Sequence, residues 1–272
     1  KLATIFDGEV ISADSRQVYR GLDIGTGKIT EEEMRGIPHH LLDVADANEQ
    51  FSAAEFVKLG RTAIADINNR GKLPIIAGGT GFYISALLGE IKLPDVPPNK
   101  ALRVKLEKMT NEELFTLLKE RDLQYTGVID PNNRPRLIRT LEIVETLGKM
   151  PHPQSTPHYD TLKIGIDVSD DVLKKKIQKR LKERMEYGMR KEAESLYQEG
   201  LSYERMDSLG LEYRYLAKLL KGELSQEEFE TELATKTWQY AKRQKTWFKR
   251  DKEILWISTF EEIKKEAERF LA

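Results

Sequence analysis

Hydrophobic residues fall into two grammars along this chain. Near the start, Lys1–Phe6 reads as the end of a helix, a turn follows at Asp7-Gly8, and Glu9–Ser12 reads as a short strand. Val10 and Ile11 give that strand the β-branched character of a central position in a sheet. It runs directly into polar Asp14-Ser15, where open α/β sheets place their ligands, and then into a stretch punctuated by Gly21, Gly25 and Gly27, which allows close backbone approach or positive φ. Residues 52–70 carry helical periodicity, with Ser52 as N-cap, Phe56, Leu59, Ala63 and Ile67 as the apolar stripe, and Asn68-Asn69-Arg70-Gly71 as the stop. Leu73–Ala77 predicts a buried strand that opens into Gly78-Gly-Thr-Gly-Phe-Tyr83 and a helix through Leu88. Strand, helix, strand, glycine loop and helix make the βαβ order of a parallel sheet.

The grammar then changes. Residues 91–100, with three prolines, predict a linker, and helical periodicity over 101–122 and 133–147 follows with no strand between. Met150–His158, with three more prolines, predicts a second linker, after which Thr161–Val168 returns to strand character. A helical insert over 98–158, placed between two halves of one sheet formed by 1–97 and 159–272, explains this order. The last third is helical, with Leu173, Ile177, Leu181, Met185 and Met189 at steps of four, and a final strand near Ile254–Ile257.

Composition narrows the function classes. The formal net charge of -1 selects no partner, but its distribution does: 171–191 carries nine Lys/Arg against three acids, and 236–252 carries seven against one. Each run alone is a solvated helix face; two in one half of a neutral chain suggest a surface facing a polyanion. Without cysteine, disulfides, a Cys-based zinc site and thiol chemistry are excluded. Four His with no HxxxH spacing argue against a structural metal. No apolar run reaches the ~20 residues that span a bilayer, so the expectation is a cytoplasmic protein.

Three segments carry candidate chemistry. Gly78-Gly-Thr-Gly follows a strand and opens a helix, so its amides could face an anion; a tight structural turn explains it equally. Within Asp130–Glu142, Arg136 and Arg139 stand three apart on a helix, a natural phosphate clamp or else an ion-pair network with Glu142. Tyr240-Ala-Lys-Arg-Gln-Lys-Thr-Trp-Phe-Lys-Arg250 interleaves cations with aromatics, which suits RNA phosphates and stacked bases, or packs Trp247 and Phe248 inward.

Taken in order, Ile11-Ser-Ala-Asp-Ser-Arg-Gln-Val-Tyr19, Asp23-Ile-Gly-Thr-Gly-Lys28, Pro38-His-His-Leu41, Ala77-Gly-Gly-Thr-Gly-Phe-Tyr83, Asn132–Glu142, Ser208-Leu-Gly-Leu-Glu-Tyr213 and Tyr240–Phe248 resemble the bacterial-type tRNA dimethylallyltransferases over nearly the whole chain. The resemblance implies a P-loop-NTPase-like α/β core with an inserted helical domain that grips the tRNA anticodon stem-loop. It implies transfer of a dimethylallyl group from its diphosphate to N6 of adenosine 37, with Mg2+ as cofactor and a monomeric enzyme. By the same matching, Asp14 is similar to the family's general base, Thr80 lies near the reacting groups, and Arg180 resembles the arginine that holds the departing diphosphate. Ser15, Arg16 and Gln17, Arg136 and Arg139, and Lys242, Arg243 and Gln244 correspond to tRNA contacts, with Asp14 among them. No metal ligand is assigned.

One departure stands out. Family members carry a Gly-x-x-x-x-Gly-Lys-Ser/Thr loop before the helix that Lys1–Phe6 would end, and these 272 residues contain none. The expectation is a chain lacking that N-terminal segment and impaired in diphosphate binding. Three alternatives stay open: an adenylate prenyltransferase acting on free nucleotide, a small-molecule P-loop kinase, and a non-catalytic RNA-binding module.

Overall fold

The computed structural model describes residues 1–151 and 155–272; residues 152–154, part of the expected linker Met150–His158, lie outside the described residues. The chain divides into two compact units, Lys1–Leu88 with His158–Ala272, and Gly89–Pro157.

The first unit opens with helix α1 (Leu2–Ile5), strand β1 (Gly8–Ser12), helix α2 (Glu31–Met34), strand β2 (His39–His40), helix α3 (Ala53–Asn69), strand β3 (Leu73–Ala77) and helix α4 (Gly81–Leu88). β1 is central in a parallel sheet of order β2-β1-β3, with Val10 opposite His39 and Ile75. Ile11 is fully buried there, whereas β3 is half-buried rather than buried. β3 sits at the edge of this sheet, which is where Pro74, having no N–H to give a second neighbour, is tolerated. α3 begins as expected at Ser52, whose hydroxyl accepts from the Glu55 amide while the Glu55 carboxylate accepts from the Ser52 amide. Its buried face is Phe56, Gly60, Ala63, Ile64 and Ile67; Leu59 points to solvent. A one-position rotation of the stripe follows from Gly60, which lets the Leu87 side chain of α4 approach the α3 backbone. The Phe56 and Tyr83 rings stack with centroids 4.4 Å apart across the same interface, a contact worth about 0.5–1.5 kcal/mol beyond its buried area.

After residue 158 the first unit continues with β4 (Ile164–Ile166), α8 (Asp170–Glu186), α9 (Met189–Gln198), α10 (Tyr203–Ser208), α11 (Leu211–Leu220), α12 (Gln226–Phe248), β5 (Leu255–Ile257) and α13 (Phe260–Leu271), taking the elements in chain order after the three helices of the second unit. The two halves do not form one sheet: β4 and β5 satisfy each other's hydrogen bonds in a separate two-stranded parallel sheet. β4 is also shorter than the expected 161–168. The apolar steps from Leu173 to Met189 span two helices, because Gly188 at φ 103 breaks the chain between α8 and α9. Met189, Tyr213, Leu216, Phe229 and Leu233 centre the core of this half.

The second unit packs α5 (Lys100–Leu106), α6 (Asn111–Arg121) and α7 (Arg134–Leu147) around Leu106, Leu114, Leu118, Leu137 and Leu141. The single helix expected over 101–122 is two, since Thr110 caps α6 in a reciprocal pair with Glu113. The unit begins at 89 rather than 98 because the proline-rich stretch is built into it: Val96 is buried, its carbonyl accepts from Arg139, and the Asn99 amide donates to Glu142.

Candidate active site

β1 and β3 run parallel, so their carboxyl ends deliver Ala13–Gln17 and Gly78–Gly81 to the same place. The Ala13 amide donates to the Ala77 carbonyl, and the Thr80 amide donates to the Ala13 carbonyl at 3.1 Å. Gly78 lies so close to Ala13 that an added Cβ would fall 2.4 Å from its carbonyl oxygen. Here Asp14 forms a tight turn, its Oδ1 accepting from the Arg16 amide at 2.7 Å and the Gln17 amide at 3.3 Å. Ser15 is tied across the gap, its amide donating to Thr80 Oγ1 at 3.1 Å. The turn is of the Asx type: the amides hold one oxygen of Asp14 and leave the other, Oδ2, with no hydrogen bond among the described residues.

Helix α12 covers the glycine loop. Gln244 Nε2 donates to the Gly79 carbonyl at 2.9 Å, and Trp247 packs on Gly81, where a Cβ would come within 2.3 Å of the indole. These contacts favour the structural reading of Gly78-Gly-Thr-Gly over an anion cradle, and they give Gln244 and Trp247 internal work. Lys242 and Arg243 on the same helix are exposed. Lys242 and Lys174 of α8 both stand over the Trp238 ring, at 6.0 and 5.0 Å from its centroid, and Arg243 stands over Tyr240 at 5.8 Å.

The electrostatics converge on Asp14. Burial pushes the Tyr83 phenol up to about 12, with Asp14 among the nearby charges that add to the rise. The Tyr240 phenol is raised by burial and by the Asp14 charge. Glu212 is raised above the ordinary carboxylate range by desolvation, with Asp14 adding to the rise while Arg184 and Arg180 oppose it. Arg180, Arg184 and Glu212 line one small cavity with Ile177, Leu181 and Thr237. Arg180 itself is exposed, which leaves its guanidinium able to meet an anion.

Sequence reasoning missed the polar frame behind this turn. Gln17, expected at the RNA, instead accepts from Ser12 Oγ and donates to the Gly27 carbonyl, both at 3.1 Å. Arg184 Nη1 donates to the Gly25 carbonyl at 3.0 Å, and its guanidinium lies where a Cβ on Gly27 would be. Gly27 also has φ 62, so the glycine is required twice over. Glu192 gathers the amides of residues 23–25. The glycines were the visible half of this frame; the charged helix residues that press on them look like any solvated face.

In the second unit Arg136 is exposed, with a long contact from its Nη2 to the Tyr125 hydroxyl at 3.4 Å. Arg139 is committed elsewhere, donating to the Val96 carbonyl at 2.7 Å and to Glu142 at 3.3 Å. Glu142 is buried and also receives Arg103 through Nε and Nη2 at 2.8 and 2.9 Å. The two arginines do not act as a matched pair; the ion-pair reading holds for Arg139, with the carboxylate inside rather than on the surface.

Among the described residues no group of three or more His, Cys, Asp or Glu could hold a metal ion. Nor is any described helix long and apolar enough to cross a membrane.

Comparison with known proteins places this geometry. Residues 17–251 match the family model described as IPP transferase. A protein of Citrifermentans bemidjiense named tRNA dimethylallyltransferase 2 is 43% identical over 252 residues, covering 92% of this chain and 81% of its own. The crystal structure of the full-length tRNA isopentenylpyrophosphate transferase of Bacillus halodurans superposes with a TM-score of 0.73 at 36% identity, covering 99% of this chain and 89% of that one. A eukaryotic dimethylallyltransferase solved acting on tRNA gives a TM-score of 0.76 at 28% identity over 91% of this chain and 65% of that one. The P-loop-type parallel α/β core with its helical insert is shared with these enzymes, and the chain belongs to the IPP transferase family.

Proposed function

We propose that this protein transfers a dimethylallyl group from dimethylallyl diphosphate to N6 of adenosine 37 beside the tRNA anticodon. One observation carries the reading: in a chain of this family, the carboxyl ends of β1 and β3 hold Asp14 in a turn that fixes one carboxylate oxygen and leaves the other available. An exocyclic adenine amine is a poor nucleophile whose proton must leave as the new bond forms. In the reaction N6 attacks C1 of the dimethylallyl group, the C1–O bond breaks, its electron pair departs with the diphosphate, and Asp14 Oδ2 takes the N6 proton. Thr80 fixes the turn through the Ser15 amide, which keeps that oxygen in place. Arg180 pairs with the diphosphate as negative charge develops on it. The adenine must leave its stack to reach Asp14. Arg16, whose guanidinium lies along Gly210, and the exposed Arg136, Lys242 and Arg243 are suited to the tRNA backbone.

The test is a product assay with three acceptors. With dimethylallyl diphosphate and Mg2+ supplied, an anticodon stem-loop should gain one dimethylallyl unit on its adenosine, detected by nucleoside mass spectrometry. Free AMP should remain unmodified and ATP should not be consumed. Modification of AMP alone would turn the reading to an adenylate prenyltransferase, and RNA binding with no product under any condition would turn it to a binding module.

A further inference from the structure

Glu192 lies on α9, far from Asp14 in sequence, yet it accepts three hydrogen bonds from the segment that supports the Asp14 turn and a fourth from Tyr213 of α11. Its Oε2 accepts from the amides of Asp23 and Ile24 at 3.0 and 2.6 Å, and its Oε1 accepts from the Gly25 amide at 2.9 Å and the Tyr213 hydroxyl at 2.6 Å. Burial and the adjoining Glu192 charge push the Tyr213 phenol far up, so it stays protonated and donates. Tyr213 is 1% exposed, and its hydroxyl is so close to Gly25 that a Cβ there would sit 2.7 Å away. Arg184 holds the next peptide group along through the Gly25 carbonyl. Two residues on, the Gly27 carbonyl accepts from Gln17 Nε2; Gln17 Oε1 accepts from Ser12 at the end of β1, and the Gln17 amide donates to Asp14 Oδ1.

We propose that Glu192 is a positioning residue for the proposed base: through the 23–27 loop and Gln17 it fixes where the Asp14 carboxylate points. The inference rests on the reading of Asp14 as proton acceptor. A charge that accepts three backbone amides is costly to build and is replaced poorly by any neutral group. A loop left loose by about an ångström is enough to misplace a carboxylate, which costs on the order of 10²-fold in rate.

A double-mutant cycle tests it. Glu192→Gln replaces one accepting oxygen by an NH2, so it should lower kcat by roughly 10-fold to 10²-fold with tRNA affinity unchanged within about twofold. In the Asp14→Asn background the same substitution should change kcat by less than about threefold, because a residue that acts through Asp14 has nothing left to position. A Glu192→Gln loss that is fully additive with Asp14→Asn, or wild-type kcat in Glu192→Gln, overturns the inference while leaving Asp14 as base. Near wild-type turnover in Asp14→Asn removes the base itself, and with it what Glu192 positions. Should Glu192→Gln fail to fold, Gln17→Leu cuts the same path at a half-buried residue. It should reproduce the kcat loss, and weaker tRNA binding with unchanged kcat would overturn the path instead.

Discussion

Glu9 lies within β1 and Asp14 just past its carboxyl end, and their surroundings are opposites. Glu9 is 1% exposed, receives the Arg70 guanidinium on both oxygens, His40 Nε2 at 2.8 Å and Lys72 Nζ at 3.3 Å, and is held far below the ordinary carboxylate range chiefly by Arg70. Asp14 is half-buried, receives only backbone amides on Oδ1, and faces the Arg180, Arg184 and Glu212 cluster through space. Both are buried or half-buried charges on a parallel sheet. The difference is in what satisfies them: fixed cations lock Glu9 in one protonation state, while two amides orient Asp14 without saturating it. Glu142 with Arg103 and Arg139 repeats the Glu9 pattern in the second unit.

The largest effect should come from the unsaturated end. Asp14→Asn keeps an oxygen to accept the Arg16 and Gln17 amides, so the turn should survive, but the group can no longer take a proton. We expect kcat to fall by roughly 10²–10⁴-fold, about 2.7–5.5 kcal/mol of transition-state stabilisation, with modest change in tRNA affinity. Steady-state kinetics with the stem-loop decides it; turnover within a few-fold of wild type would erase the contrast between the two carboxylates.

Much of this contrast was readable and part was not. β1, β3 and the Asp14 turn stood out because β-branched runs end abruptly in polar and glycine residues, and the insert because prolines bracket a strand-free stretch. β2 escaped because a two-residue polar strand, His39-His40, has no periodicity. The break before α6 was legible in Thr110-Asn-Glu-Glu113, a capping signature overlooked within a longer apolar pattern. Glu9, Arg184 and Glu192 gave no local signal at all. Their partners lie at the far end of the chain or on another element, so only tertiary structure separates them from solvated charges.

The saturated end should show in stability instead of rate. Glu9→Gln removes the charge that Arg70 and Lys72 address, but both cations are partly exposed and can return to water. A loss of about 1.5–3 kcal/mol in urea denaturation is expected, the range for hydrogen bonds to a charged group. The pH dependence has a definite sign. Because folding lowers the Glu9 pKa, its contribution is fully present above the unfolded glutamate value of about 4.3 and is lost as pH falls below it. The wild-type protein should therefore lose more stability than Glu9→Gln on going from pH 6 to pH 3, to about that depth. Parallel curves would show that Glu9 is no more special than a surface carboxylate.

Arg139 and Arg136 extend the comparison to the second unit, where saturation again separates support from contact. Arg139→Ala takes one of two arginines from buried Glu142 and leaves the Val96 carbonyl unpaired, so about 1–2 kcal/mol of stability should be lost. Arg136→Ala should leave the melting transition in place and weaken stem-loop binding, lowering the log–log salt slope by about 0.7–0.9 for one phosphate contact. Binding isotherms at several salt concentrations, beside denaturation curves for both variants, test the pair. A stability loss in Arg136→Ala with an unchanged slope would reverse the assignment.

The smallest effect, and the sharpest test of where exposed charge matters, lies on α12. Lys242 and Arg243 are exposed and stand near Trp238 and Tyr240, contacts that at a wet surface are worth only about 0.5–1 kcal/mol. Replacing both by Ala should therefore barely move stability. If the helix faces RNA phosphates, each lost contact lowers the salt slope by about 0.7–0.9, and at fixed salt the affinity falls uniformly whatever the loop sequence. Gln244→Ala on the same helix supplies the contrast: it breaks the bond to the Gly79 carbonyl beside Thr80, so it should disturb kcat while leaving the slope alone. A slope unchanged in the double variant would mean that these cations solvate the helix and cover aromatic rings, and that RNA is held by Arg16 and the second unit instead.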